Sequence, residues 1–295
     1  MTNTAALNKL VIIGVGLIGG SFALALRKAG LVRHIAGVGR SPQNMQCALE
    51  RGIIDEIATD MASALHNADL VFLAMPVGQT ALIMERIAPH LSANTILTDA
   101  GSTKQDVIAA ARHHLPLQNR HHFVPGHPIA GTEHSGAQAA QADLYHDKHV
   151  ILTPLPETGA DAIERVSQLW QACGAQVSQM PADEHDHALA ATSHLPHILA
   201  FTMMNHLNHS TNHPENLLRF AGSGLRDFTR IASSSPEMWR DICLANREAL
   251  LKQINAYQNE LNSLQEMLKN NDGEALEQAF SQARGVRENW LKNKD

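Results

Sequence analysis

The sequence predicts an α/β chain in which an N-terminal doubly wound sheet is followed by an all-helical C-terminal domain. Three observations predict it. A β-branched run near the N-terminus leads directly into a glycine turn and a helix, and strand-like apolar runs then alternate with helical segments as far as residue 180. Beyond Pro181 the strand rhythm ceases, and apolar residues recur in steps of three and four. The boundary is therefore placed so that the domains cover residues 1–181 and 182–295.

The first unit is Leu10-Val11-Ile12-Ile13, then Gly14-Val15-Gly16-Leu17-Ile18-Gly19-Gly20, then the helix-forming Ser21-Phe22-Ala23-Leu24-Ala25-Leu26. In a strand, turn and helix of this kind, Gly14 makes the tight turn and Gly16 admits a pyrophosphate to the backbone. Gly19 lets the helix pack closely on the strand. The phosphate would sit at the positive helix N-terminus, against Leu17 and Ile18. A glycine turn of purely structural purpose is the competing reading, but the position ahead of a second strand favours a dinucleotide. Residues 1–181 are read as a Rossmann-type dinucleotide-binding domain.

The second strand, His34 to Val38, ends in Gly39-Arg40-Ser41, where an NAD enzyme usually carries an acid for the ribose hydroxyls. Here the acid is missing. An arginine and a hydroxyl suit a 2'-phosphate, which predicts NADP as the preferred cofactor. If Arg40 only stacks on the adenine, NAD stays usable.

Further strands are read at Leu70–Ala74, Thr95–Thr98, His122–Val124 and His149–Leu152, with helices over residues 79–87 and 104–111 between them. Ligands of such sheets lie beyond the carboxyl ends of the strands. Met75-Pro76-Val77, Asp99-Ala100-Gly101-Ser102 and Gly126-His127 all fall there, so Met75, Pro76 and Ser102 join the candidate cofactor contacts. His127, in Gly126-His127-Pro128-Ile129-Ala130-Gly131-Thr132-Glu133, is a candidate general base poised near neutral pH, or else a structural turn histidine.

In the helical half, Ser235 reads as an N-cap with Pro236 in the first turn and Glu237 placed to suit the helix dipole. Leu250, Ile254, Tyr257, Leu261, Leu264 and Leu268 form an apolar stripe that ends at Asn270-Asn271-Asp272-Gly273. A last helix carries Leu276, Phe280, Ala283 and Trp290 on its inner side. Long helices in so small a domain enclose little by themselves, so a homodimer is expected.

Composition excludes several classes. A net charge of -6 argues against nucleic acid or an anionic membrane as partner. The cysteines Cys47, Cys173 and Cys243 are scattered, without disulfide or zinc spacing, which fits a reducing compartment. The first residues lack a leader pattern, and no apolar run approaches the roughly 20 residues of a membrane span. A cytoplasmic protein is expected. Histidine clusters such as His113-His114, His121-His122 and His185-x-His187 raise a metal as a rival reading, but adjacent histidines seldom converge on one ion, and no metal is predicted.

The glycine loop, Asp99-Ala100-Gly101-Ser102-Thr103-Lys104, the segment from Gly126 to Glu133, Ser193-His194-Leu195-Pro196-His197, Asp227-Phe228-Thr229-Arg230-Ile231-Ala232 and Met238-Trp239-Arg240-Asp241 occur in the order found in prephenate and arogenate dehydrogenases. The chain resembles that family over almost its whole length, in what looks like its minimal, monofunctional form. The resemblance implies oxidative decarboxylation of a dianionic cyclohexadiene with hydride transfer to NAD(P)+, in tyrosine biosynthesis. It also implies that His127 is the catalytic histidine, neutral and accepting the 4-hydroxyl proton. Ser102 would orient His127 or the hydroxyl and touch the nicotinamide, or cap the helix that begins at Thr103. Arg230 would grip a substrate carboxylate with Asp227 holding its fork, unless the two form an ordinary surface pair. His194 and Trp239 would contact substrate across an interdomain cleft, His197 could be a buried structural partner, and Thr132 and Glu133 would shape the pocket mouth. Asp183, Glu184 and Asp186 are candidates to meet the ammonium group of arogenate. Inhibition by L-tyrosine would be competition at the active site. Rival readings are another NADP-dependent dehydrogenase of similar architecture, acting on a hydroxy acid or imine, and a non-catalytic NADP-binding sensor.

Overall fold

A computed structural model describes residues 5–132, 134–210 and 213–292. The chain begins with strand β1 (Leu7–Ile13), helix α1 (Leu17–Lys28), β2 (Val32–Val38) and α2 (Pro42–Glu50), followed by a short β3 (Glu56–Ile57) and α3 (Met61–Leu65). Then come β4 (Leu70–Leu73), α4 (Thr80–Ile87), β5 (Ile96–Asp99), α5 (Gln105–His114), α6 (Leu117–Arg120) and β6 (Phe123–Val124). These six strands form one parallel sheet in the order β3-β2-β1-β4-β5-β6. Both faces are buried, as the sequence of each central strand requires. Leu10, Ile12, Leu70 and Phe72 enter one core with Phe22, Tyr145 and Trp170, whereas Val11, Ile13, Val71 and Leu73 enter the other with Met84, Val107 and Phe123. Phe22 sits 4.5 Å from both Phe72 and Trp170, ring centroid to centroid.

One expectation is corrected here. The strand at His149–Leu152 does not continue the main sheet. It is β8 of a separate three-stranded sheet, flanked by β7 (Gly126–Pro128) and, after helix α7 (Ala160–Ala172), by β9 (Gln176–Gln179). β7 runs antiparallel to β8, with His127 opposite Ile151, and β8 runs parallel to β9. The cause lies at Pro125, which separates β6 from β7 and cannot donate a ladder hydrogen bond. The chain changes sheets there, and His127 lies within a strand rather than at the end of one.

The segment between β7 and β8 folds back over the glycine loop. Ala137 N donates to Asn44 Oδ1 (2.7 Å), Gln141 N to Ser21 Oγ (2.9 Å) and Tyr145 Oη to the Ile18 carbonyl (2.6 Å). Asn44 in turn donates to the Val15 carbonyl at 2.7 Å. The strand that carries His127 is thereby tied to the loop that begins α1.

After β9 the chain is helical: α8 (Ala182–Leu189), a π-helical turn (Ala190–His194), α9 (Leu195–His209), α10 (Pro214–Leu218), α11 (Ser223–Thr229), a 3-10 turn (Arg230–Ser233) and α12 (Pro236–Ala245). The π turn precedes Pro196, which lacks the N–H that would close an α-helical bond to Thr192. Ser235 caps α12 through Met238 N, as expected. Residues 1–247 make one compact unit, and residues 248–295 another, formed by most of α13 (Arg247–Lys269) and by α14 (Gly273–Lys292). Of the apolar residues on these two helices, Tyr257, Leu261, Leu268, Phe280 and Trp290 are exposed.

Candidate active site

The three glycines behave as their spacing predicts. Gly14 has φ +98°, and a Cβ there would lie 2.6 Å from the Ala74 carbonyl carbon and 2.8 Å from Met75 N. A Cβ on Gly19 would strike the Gly14 carbonyl oxygen and lie 2.8 Å from Ile12 Cγ2. Around Gly16, by contrast, a Cβ would meet nothing within 4 Å. The turn and the helix packing are crowded, while the space beside Gly16 is open. Helix α1 starts there with no side-chain cap and no acid in its first turn, so its N-terminal amides suit a phosphate. At the end of β2, Arg40 is exposed, Gly39 packs against the Met45 thioether, and Ser41 is the N-cap of α2, accepting from Asn44 N at 3.2 Å.

His127 lies at the junction of β5, β7 and α8. Behind it, the buried Lys104 ammonium pairs with Asp99 and donates to the Gly126 carbonyl at 2.8 Å. Asp99 also accepts from Gly101 N (2.7 Å) and Gly126 N (3.1 Å). This buried ion pair pins the end of β5 to the start of β7. At the ring itself, His127 Nδ1 lies 2.8 Å from His185 Nε2, and His185 Nδ1 lies 2.8 Å from Asp186 Oδ1. Asp186 then accepts from Lys104 N (2.8 Å) and Gln105 N (2.9 Å). Asp186 therefore supplies the start of α5 with the partner that Ser102 would provide in its alternative reading as a cap. The N-cap residue of α5, Lys104, makes no side-chain capping bond. Nor is Asp186 open to an ammonium group, because it is buried and occupied by these donors, whereas Asp183 and Glu184 are exposed.

Burial pushes the pKa of His127 well below 6.5, and the Lys104 charge pushes it the same way, so the ring is neutral near pH 7. Burial alone would raise the Asp186 pKa. Hydrogen bonds from His185, Gln105 N and Lys104 N outweigh it and hold the carboxylate below its usual range.

The helical residues converge on the same place. His194 Nδ1 lies 3.1 Å from Asn246 Nδ2, which also donates to the Asp186 carbonyl at 2.7 Å. Burial lowers the His194 pKa to about 4, against the opposing pull of Asp186 and the Ser102 backbone. Trp239 lies edge-on to His194, at 6.0 Å, and stacks on His197 at 3.8 Å. It packs with Val77 and Ile242, next to the Met75-Pro76 turn. Burial lowers the His197 pKa, its Nδ1 bond to the Ser193 carbonyl (2.9 Å) resists this, and the Arg230 charge adds to the lowering. Arg230 itself is exposed at the start of its 3-10 turn.

The structure thus brings His127, His194, His197, Trp239 and the Ser102 backbone together, with the Arg230 charge felt at their edge. Thr132 is exposed and accepts a local bond from His134 N (3.2 Å), and Asp227 is exposed with an oxygen 3.9 Å from Arg226 Nε. Glu133 lies outside the described residues. Sequence reasoning missed the roles of His185, Asp186, Asn246 and the Asp99–Lys104 pair. A cavity of about 830 Å³ between α5, the segment after β8 and the start of α8 is lined by Asp183 among the predicted residues and by none of the others.

His194 makes stability depend on acidity. Its folded pKa of about 4 lies below the unfolded value of 6.5, so the unfolded chain binds more protons between those limits. The stability that this group contributes is full above pH 6.5 and falls as the pH drops toward 4. Urea midpoints measured across that range are expected to decline, and the decline is expected to be shallower in His194→Asn.

A parallel sheet that opens on a glycine turn, with a neutral histidine on a strand of the neighbouring small sheet, fits an NAD(P)-dependent oxidoreductase. Comparison with known proteins narrows the class. The family model "Prephenate dehydrogenase, nucleotide-binding domain" matches residues 22–179, and "Prephenate dehydrogenase, dimerization domain" matches residues 181–282. Prephenate dehydrogenase of Bacillus subtilis is 38% identical over 95% of this chain and 75% of its own, and cyclohexadienyl dehydrogenase of Zymomonas mobilis is 34% identical over 94% of each. The crystal structure of Aquifex aeolicus prephenate dehydrogenase with hydroxyphenyl propionate and NAD+ aligns with a TM-score of 0.91 at 36% identity, over 97% of this chain and 99% of that one. The chain belongs to the prephenate dehydrogenase family, whose reaction is an oxidative decarboxylation with NAD(P)+.

Proposed function

We propose that this chain oxidises prephenate, arogenate or both, with His127 as the proton acceptor. The observation that carries the reading is the position of His127: neutral, fixed from behind by the Lys104–Asp99 pair, and grouped with His194 and Trp239. The glycine loop Gly14–Gly19 would hold NAD(P)+, which would supply the acceptor for the hydride on the ring carbon that bears the 4-hydroxyl. His127 accepts the hydroxyl proton as the carbonyl forms. The bond to the ring carboxylate then breaks, carbon dioxide leaves, and the electron pair enters the ring to give a phenolate, to which His127 returns the proton. Aromatisation drives the sequence, and the protein's task is to orient the ring and manage one proton.

Arg230 suits a substrate carboxylate because its guanidinium fork is exposed beside His197 and reaches it electrostatically. Arg230→Ala is expected to raise KM about 10- to 100-fold, the scale of one charge-assisted hydrogen bond, with a smaller change in kcat. Steady-state kinetics with the preferred substrate check this.

NADP+ is proposed as the preferred cofactor because Arg40 stands exposed at the end of β2 and residues 39–41 carry no carboxylate. Arg40→Ala is expected to lower kcat/KM for NADP+ about tenfold while leaving that for NAD+ nearly unchanged, the discrimination expected of one lost phosphate contact. Equal losses for the two cofactors would count against it.

The reading extends to assembly and setting. Exposed Tyr257, Leu261 and Leu268 on α13, and Phe280 and Val286 on α14, support a homodimer built on the matched dimerization domain. We put the functional division between residues 181 and 182, a reading supported by family models that match residues 22–179 and 181–282. A cytoplasmic location and competitive inhibition by L-tyrosine belong to the same proposal. Among the described residues no helix is long and apolar enough to cross a membrane.

A further inference from the structure

We propose that His185 and Asp186 are positioning residues that hold His127 in one tautomer, with its hydrogen on Nδ1 and its lone pair on Nε2. The inference rests on the reading of His127 as the proton acceptor and specifies which of its two nitrogens does the accepting.

The argument starts at the far end of the chain of contacts. Asp186 is an ionised carboxylate and can only accept, and it already receives the backbone N–H groups of Lys104 and Gln105. The contact between Asp186 Oδ1 and His185 Nδ1 at 2.8 Å must therefore be donated by His185. A neutral His185 with its hydrogen on Nδ1 presents a bare Nε2, which can only accept. The 2.8 Å contact to His127 is then donated by His127 Nδ1–H. His127 Nε2 is left without a hydrogen, as a base must be.

The surroundings favour this polarity. The Asp186 charge is shared among three donors, two of them at the positive N-terminus of α5, so it does not face His185 alone. His185 is fully buried, where a second positive charge beside Lys104 would be poorly solvated. The groups that face His127 are His185 on α8, Lys104 before α5 and His194 in the π turn. None of these three is an anion, and Asp186 is the carboxylate that reaches His127 through His185. When His127 takes the substrate proton, the resulting imidazolium keeps its Nδ1–H on His185, with the Asp186 carboxylate one residue behind. An orienting carboxylate plays a comparable part in the serine protease triad, where its conversion to an amide imposes the wrong tautomer.

The test combines a spectrum with kinetics. Side-chain nitrogen NMR of the ligand-free enzyme near neutral pH is expected to show a pyrrole-type Nδ1 and a pyridine-type Nε2 for His127, and the reverse pattern would overturn the inference. His185→Leu is expected to lower kcat about 100-fold with little change in KM, and His185→Gln, whose amide oxygen can accept in place of Nε2, is expected to recover most of that loss. Asp186→Asn is expected to behave like His185→Leu, and because Asp186 also serves α5, the His185 pair decides if that variant does not fold. Wild-type kcat in folded His185→Leu would overturn the relay alone, provided that His127→Asn is inactive. Wild-type kcat in His127→Asn would remove the underlying reading as well.

Discussion

Replacing His127 with asparagine is expected to lower kcat about 100- to 10,000-fold, the usual contribution of a positioned general base. Asparagine keeps a polar group of similar reach near His185 but offers no basic nitrogen, so the proton of the 4-hydroxyl has no acceptor as the hydride departs. KM should change little, because substrate affinity is assigned chiefly to Arg230 and cofactor affinity to the glycine loop. Thermal unfolding should also move little, since the neutral ring carries no buried charge. Steady-state kinetics on the folded variant check this, and a large rise in KM with kcat preserved would reverse the roles of His127 and Arg230.

The second large effect concerns Lys104, which is fully buried and bridges Asp99 and the Gly126 carbonyl. Lys104→Met leaves the Asp99 carboxylate buried without its counter-charge, for which a loss of about 3–5 kcal/mol is expected. The same substitution frees the start of β7, so kcat should fall too, through a misplaced His127. Converting both partners, as Asp99→Asn with Lys104→Met, should recover part of the stability because no uncompensated charge remains. Urea unfolding of the single and double variants measures the difference, and equal stability of the single variant and the wild type would mean that the pair does not hold the strand ends.

What could be read from the sequence, and what could not, follows the range of the interactions. The glycine loop was legible because Gly14, Gly16 and Gly19 act within one turn, and each meets the crowding or the open space that its position implies. Ser235 was legible for the same reason, its cap being three residues away at Met238. The second sheet was not. His149–Leu152 has the composition of any buried strand, and only Pro125 and a partner more than twenty residues away decide that it pairs antiparallel with β7. Asp186 was harder still. Its sequence neighbours suggest an acidic helix start, whereas its backbone partners at residues 104 and 105 lie about eighty positions back. A histidine followed by an aspartate at a helix start was the available signal, but it carries no information about which histidine lies opposite. For Arg230 and Asp227, local spacing implied a surface pair and the family motif implied a clamp, and the structure places both residues at the surface.

The central claim is a reaction, and initial rates test it most directly. Purified protein offered prephenate and arogenate, each with NADP+ and with NAD+, is expected to reduce cofactor with at least one of the two substrates, and faster with NADP+. Formation of a phenolic product in step with the reduced cofactor would show that decarboxylation accompanies hydride transfer. A folded protein that stays silent in all four combinations would contradict the account.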